Sequence, residues 1–356
     1  MTEADRSPAA GAIFFDAHCD TVIKVLDDGA DFGSGDGTIH VDFPRLREAG
    51  VRAQLFACFV LSERYPDRER ERADSMLDAI EGMCASTGHE LAVARTKEEL
   101  GAAFEGGPMA ALIGLEGADP LGGRAENLRQ FFDRGVRDLI FAWRDNLFSG
   151  TAFGRNDPLT GEGERLLGLC EELGVMVDVS HLSDAAFEDV RRAATRPFIA
   201  SHSDCRALSA SPRNMTDDMI RALADRGGVM GINFSTPFLS PESLAGWEKV
   251  KTRLDLEGLG WREQERRVLE EAVGVPRPSF EWVVRHVLHV IDVGGEDVVG
   301  LGGDLDGIVH APNGLNGVED YPKVAAALGE AGLSRSQIEK VCHLNFLRAF
   351  SDVLPG

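Results

Sequence analysis

Ile13-Phe14-Phe15-Asp16-Ala17-His18-Cys19-Asp20-Thr21 opens on three apolar residues and passes at once into two carboxylates flanking an imidazole. A buried parallel strand reads as a short unbroken apolar run, because helices cover the sheet on both faces. The polar residues after the run mark the strand's C-terminal end. The same grammar recurs along the chain. Apolar runs at residues 13–15, 53–60, 110–115, 139–142, 175–179, 198–200, 229–234 and 298–301 predict eight strands. Amphipathic stretches separate them. Ala73, Met76, Leu77 and Ile80 recur at helical spacing, as do Leu166, Leu169, Cys170 and Leu173, which end at Gly174 where a C-cap belongs. Residues 217–227 read as a further helix closed by glycine. Ser334 precedes Gln337 by the capping-box interval, and Ile338, Val341 and either Leu344 or Asn345 follow as one face.

Eight strands alternating with helices predict an α/β fold, a (β/α)8 TIM barrel over the single domain 1–356; a doubly wound open sheet obeys the same grammar. The stretch around 244–280 breaks the tight alternation. Its charges, with Trp247 and Trp261, read as a helical excursion on the loop side, either shaping the site entrance or simply solvated.

Composition narrows the partners. With 37 basic against 59 acidic residues the net charge is −22, which excludes wrapping nucleic acid or coating an anionic membrane. Residues Met1–Gly11 lack the basic and apolar regions of a secretion signal, and no apolar run is long enough to span a bilayer, so the expected location is cytoplasmic. Cys19, Cys58, Cys84, Cys170, Cys205 and Cys342 show no CxxC spacing and are expected to be reduced and buried.

In a parallel barrel all strand C-termini open on one face, so residues that follow different strands converge there. His18 and Asp20 after the first strand, Glu116 after the third, His181 after the fifth, His202 after the sixth and Asp304 after the eighth are the candidates. His18 and Asp20, two apart, would share one side of an extended strand end and chelate one cation. Imidazole with carboxylate suits Zn²⁺ or a similar first-row ion, whereas Ca²⁺ and Mg²⁺ prefer oxygen. His181 and His202 could hold a second ion, with Glu116 bridging the pair. Such a pair would lower the pKa of a water held between the ions, the chemistry of a hydrolase. In Gly302-Gly303-Asp304-Leu305-Asp306-Gly307, Asp304 lies nearest the strand and would move the proton; the plain alternative is a Ca²⁺-type DxDG loop without its later ligands. Asp16 is expected at the same mouth. His40, His89, His286, His289, His310 and His343 fall on loops or helices and read as structural.

Asp16–Thr21, Leu115–Gly117, Asp178–His181, Ser201–Ser203, Ser211–Asp218 and Gly302–Gly307 resemble, in order and spacing, the motifs of the membrane dipeptidase (renal dipeptidase) family, peptidase family M19. The resemblance spans the chain from Asp16 to Asn345-Phe346-Leu347-Arg348. It implies a barrel of the metal-dependent hydrolase type, dipeptide cleavage and a homodimer. It further implies two Zn²⁺ per subunit bridged by Glu116 and a hydroxide, one held by His18, Asp20 and Glu116, the other by Glu116, His181 and His202. Asp304 matches the proton-transferring acid. Arg213 matches the residue that grips the substrate's C-terminal carboxylate, a task suited to a guanidinium fork. One position departs: Trp143 stands where mammalian-type members have a substrate-contacting histidine, and an indole cannot carry a proton. The rival reading is another binuclear amidohydrolase acting on a lactone, cyclic amide or modified peptide, for which Arg213 would lack its carboxylate.

Overall fold

The first strand, β1 (Phe14–Cys19), lies between β2 (Val51–Phe59) and β9 (Val299–Leu301), and all three are parallel. The computed structural model describes residues 9–356; residues 1–8 of the polar N-terminal stretch and the side chains of Trp261, Arg262 and Glu265 lie outside the described residues. From β2 the sheet continues through β4 (Met109–Glu116), β5 (Val136–Ile140) and β6 (Met176–Asp178). From β9 it continues the other way through β8 (Met230–Ile232) to β7 (Ala200–Ser203). The two ends meet at one residue. Ile199 donates its N–H to Val177 O (2.9 Å) and accepts from Val179 N–H (2.7 Å), so β6 is stitched to the start of β7. Around this ring the eight strands follow chain order, the arrangement of the expected (β/α)8 barrel.

All eight predicted runs are strands. A ninth, β3 (Leu91–Val93), pairs with β4 outside the ring and escaped notice because it is three residues long and only its first residue is buried. Phe15, Ala17, Leu55, Leu112, Met176, Ile199 and Val229 form one cluster although their strands are not all neighbours. They therefore fill the interior of the ring, and Phe346 and Phe350 of the last helix join them. Phe15 packs on both rings, at 5.5 and 5.4 Å between centroids. The larger cluster lies between the strands and the surrounding helices.

The helix signals read from the sequence are realised. Glu69–Ser86 buries Ala73, Met76, Leu77 and Ile80, and Gly161–Leu173 ends at Gly174 in the left-handed conformation, φ 78°. Ser334 and Gln337 form a reciprocal capping box. A π-turn at Lys340–Leu344 then inserts an extra residue, which resolves the open choice: Leu344 is exposed and Asn345 faces inward, donating to Glu296 O and Val299 O, both at 2.8 Å. Between β8 and β9 the excursion consists of the helices Pro241–Arg253 and Trp261–Ala272. Every cysteine is buried and unpaired. Among the described residues no helix is long and apolar enough to cross a membrane.

Candidate active site

Two of the histidines expected after strands lie within them: His18 in β1 and His202 in β7, while Glu116 is the last residue of β4. Apolar runs understate these strands because their final residues turn polar side chains toward the mouth. Asp20 departs from its expected geometry. At φ −101° and ψ 19° it is the N-cap of the helix Thr21–Asp27, not extended strand, and its carboxylate makes no capping bond. A turn, not strand alternation, therefore brings Asp20 Oδ2 to 3.8 Å from His18 Nε2. Two backbone bonds set this turn beside the last strand's loop: Asp20 N–H donates to Leu305 O (2.9 Å) and Asp304 N–H to His18 O (3.1 Å).

Glu116 lies at the centre. Its carboxylate oxygens are 3.4 Å from His18 Nε2, 3.0 Å from His181 Nε2 and 3.8 Å from His202 Nε2. The two Nε2 atoms of His181 and His202 are 2.9 Å apart, and the rings of His18 and His202 stack at 3.7 Å. Ser201 Oγ meets His202 Nδ1 at 2.8 Å, which leaves Nε2 turned to the cluster. Asp178 accepts from Ser180 N–H (2.8 Å) and Ser201 N–H (3.1 Å), holding the ends of β6 and β7 together beneath the two imidazoles. Burial alone would raise the Glu116 carboxyl, but His18 and His181 beside it outweigh burial and hold it below the usual range. Burial pushes His181 down to about 4, helped by the Arg213 charge, so its imidazole is neutral and free to act as a ligand.

The donor set fits a cation. His18 Nε2 and Asp20 Oδ1 are buried without a hydrogen-bond partner, and buried polar atoms left in that state are rare. His18, Glu116 and His202 form one tight group of ligand atoms, and His18, Asp20 and Asp304 another. His18 is common to both, so this partition differs from the one implied by the resemblance, which places Glu116 in both. Asp304 Oδ2 accepts from Asn233 Nδ2 at 3.0 Å. Burial, then Asp20 and Glu116 acting against His18, raise its carboxyl to about 8. His181, Asp304 and Asp306 all have positive φ, at 68°, 55° and 67°, a conformation L residues avoid and functional sites tolerate.

Asp16 does not join the mouth. Its carboxylate accepts from Gly303 N–H and Gln54 Nε2, both at 2.9 Å, and so steadies the loop that carries Asp304. Asp306 is a clamp: it accepts from Thr21 Oγ1 and His40 N–H, both at 2.7 Å, while its own N–H donates to His40 Nδ1 at 3.0 Å. His40, read from the sequence as structural, thus has a partner in Asp306; His286 is bonded to Cys205 N–H and Leu239 O, and His289 lies 2.8 Å from Asp217. Arg213 is buried, with Nη1 donating to Ser203 Oγ and Nη2 to His202 O, both at 2.6 Å, and with Nε unpartnered. The Trp143 ring lies 5.9 Å from the His181 ring and edge-on to Phe59 at 5.0 Å. His18, Asp20, Glu116, His181, His202, Asp304, Arg213 and Trp143 therefore gather at one end of the barrel, and of the residues expected there only Asp16 is turned away.

Sequence reasoning missed Asn233, although it directly follows β8 and the polar-residue-after-a-strand rule would have found it. It also missed Gly307. A Cβ there would collide with Asp20 Oδ2 and lie 2.6 Å from Asp304 Oδ1. Gly307→Ala is accordingly expected to cut kcat by roughly 10²-fold through displaced carboxylates, with an unfolding midpoint near that of the parent. A kcat within about two-fold of the parent would show that the carboxylates tolerate the methyl group.

The model of the membrane dipeptidase family, peptidase family M19, matches residues 8–354. The chain belongs to this family. An M19 metallopeptidase, dipeptidase AC, superposes with a TM-score of 0.83 at 27% identity, covering 97% of this chain and 99% of that one. A Rhodobacter sphaeroides metallopeptidase, solved with a phosphinate mimic of the dipeptide L-Ala-D-Ala, gives 0.81 at 27% identity over 96% and 99%. An uncharacterized dipeptidase of Schizosaccharomyces pombe is 28% identical over 330 residues, 88% of this chain and 72% of that protein. Membership of M19 makes the chain a metal-dependent hydrolase, and the convergent imidazoles and carboxylates are where its described residues could hold the metal.

Proposed function

We propose that the protein hydrolyses dipeptides bearing a free C-terminal carboxylate, with two Zn²⁺ held by His18, Asp20 and Glu116 on one side and by Glu116, His181 and His202 on the other. The observation that carries this reading is the meeting of three imidazoles on Glu116, one hydrogen bond away from a buried arginine. Bound divalent ions polarise the scissile carbonyl and make a water nucleophilic near neutral pH. The protein's side chains do the rest. Arg213 has five N–H donors, of which two are engaged by Ser203 and His202. The remainder can hold a carboxylate and so measure where the substrate ends. Asp304, oriented by Asn233, takes the proton of the attacking water and gives it to the departing amine. Trp143 closes the wall beside His181 and excludes water there.

Arg213→Ala is expected to raise KM for free dipeptides roughly 10–100-fold, the loss of charge-assisted hydrogen bonds, and to erase the parent's preference for free over C-terminally amidated substrates. Arg213→Lys should recover part of it. A parent enzyme indifferent to amidation would instead favour a lactone or cyclic amide substrate. The broad test is a dipeptide panel, L-L and L-D, assayed on zinc-loaded protein whose metal content is measured in parallel.

A further inference from the structure

Two aromatic rings at the mouth have no part in the chemistry above. Phe153, in the loop after β5, is 55% exposed, so its ring is open to a ligand at the mouth. It stacks on Phe238 at 6.3 Å between centroids, and Lys251 of the excursion helix stands 4.9 Å from the Phe153 ring. Phe238 in turn lies 5.9 Å from the Arg213 guanidinium carbon.

This spacing is built in. Asn214, the residue after Arg213, donates through Nδ2 to Phe238 O at 2.8 Å, and Ser209 Oγ donates to Pro237 O at 3.1 Å. On the other side, Ala152 N–H donates to His181 O at 2.8 Å, which ties the Phe153 loop to the cluster. The ring pair is thus fixed relative to both Arg213 and His181, and preorganised contacts of this kind set specificity.

A carboxylate held by Arg213 places the α-carbon of the substrate's last residue within reach of Phe238. We infer that Phe238 and Phe153 form the subsite for the side chain of the substrate's C-terminal residue, and that they select apolar, above all aromatic, side chains there. The inference rests on reading Arg213 as the carboxylate grip. The aromatic faces supply both buried area and ring-on-ring contact, which a C-terminal glycine cannot exploit.

The test is the ratio of kcat/KM for Ala-Phe to that for Ala-Gly on the metal-loaded enzyme. The parent should prefer Ala-Phe. Phe153→Ala, at an exposed position outside the core, and Phe238→Leu, which keeps apolar bulk, should each lower the ratio by about ten-fold, the scale of one lost aromatic contact. A parent that prefers Ala-Gly, or ratios unchanged within about two-fold in both variants, overturns the inference. If amidated Ala-Phe is cleaved as well as the free dipeptide, the Arg213 reading itself fails; an intact demand for the free carboxylate with unchanged ratios removes the subsite alone.

Discussion

Asp304→Asn is expected to lower kcat for dipeptide hydrolysis by roughly 10²–10⁴-fold, the usual contribution of a positioned general acid–base group, with bound metal close to the parent level. The amide is nearly isosteric and can still meet Asn233 Nδ2 at the place where Asp304 Oδ2 accepts at 3.0 Å. What it cannot do is carry a proton. Burial raises the Asp304 carboxyl to about 8, with Asp20 and Glu116 adding to the rise and His18 opposing it. A bound cation would act with His18, favouring the carboxylate, so the group is set between acid and base near neutral pH. The limb of the kcat/KM profile that belongs to this carboxyl should therefore vanish in the variant. Turnover near the parent value, with metal retained, would remove Asp304 from the proton path.

Glu116→Gln should be more damaging still. Glu116 is the only carboxylate within 4 Å of His18, His181 and His202 together among the described residues. Losing its charge removes the anionic centre of the site, and an amide offers only one oxygen where two now serve different imidazoles. Metal content is expected to fall to one ion per chain or fewer. Activity should drop by at least about 10³-fold, since metal assistance amounts to several kcal/mol and each decade of rate to about 1.4 kcal/mol. Metal analysis beside kinetics checks this: two retained ions would place the bridge elsewhere.

The fold was legible because buried parallel strands are written in uninterrupted apolar residues, and each of the eight runs became a strand. Their ends were less so. β1 runs on to Cys19 and β7 to Ser203, because the polar residues there face a cluster that accepts them, and hydropathy cannot distinguish such positions from loop. Asp16 shows the converse. Its charge and its place in the motif suggested the mouth, but its carboxylate is taken by Gln54 and Gly303 N–H. The site's residue types, Asn233 after β8 included, could be read from order along the chain, whereas Gly307 and the Phe153–Phe238 pair depend on distances across it.

Among the described residues the backbone closes the barrel between β6 and β7 at Ile199, not by a ladder between the two strands, with the Asp178 carboxylate reaching across to Ser201 N–H beside it. His181 follows β6 and His202 lies in β7, so the narrowest seam of the ring has an imidazole on each bank. An ion held by both is a rivet as well as a reagent. Its affinity then contributes to the cohesion of the barrel, since a ligand bound only by the closed ring stabilises that ring by mass action. Loss of the ion would loosen the wall at the same place where it stops the chemistry.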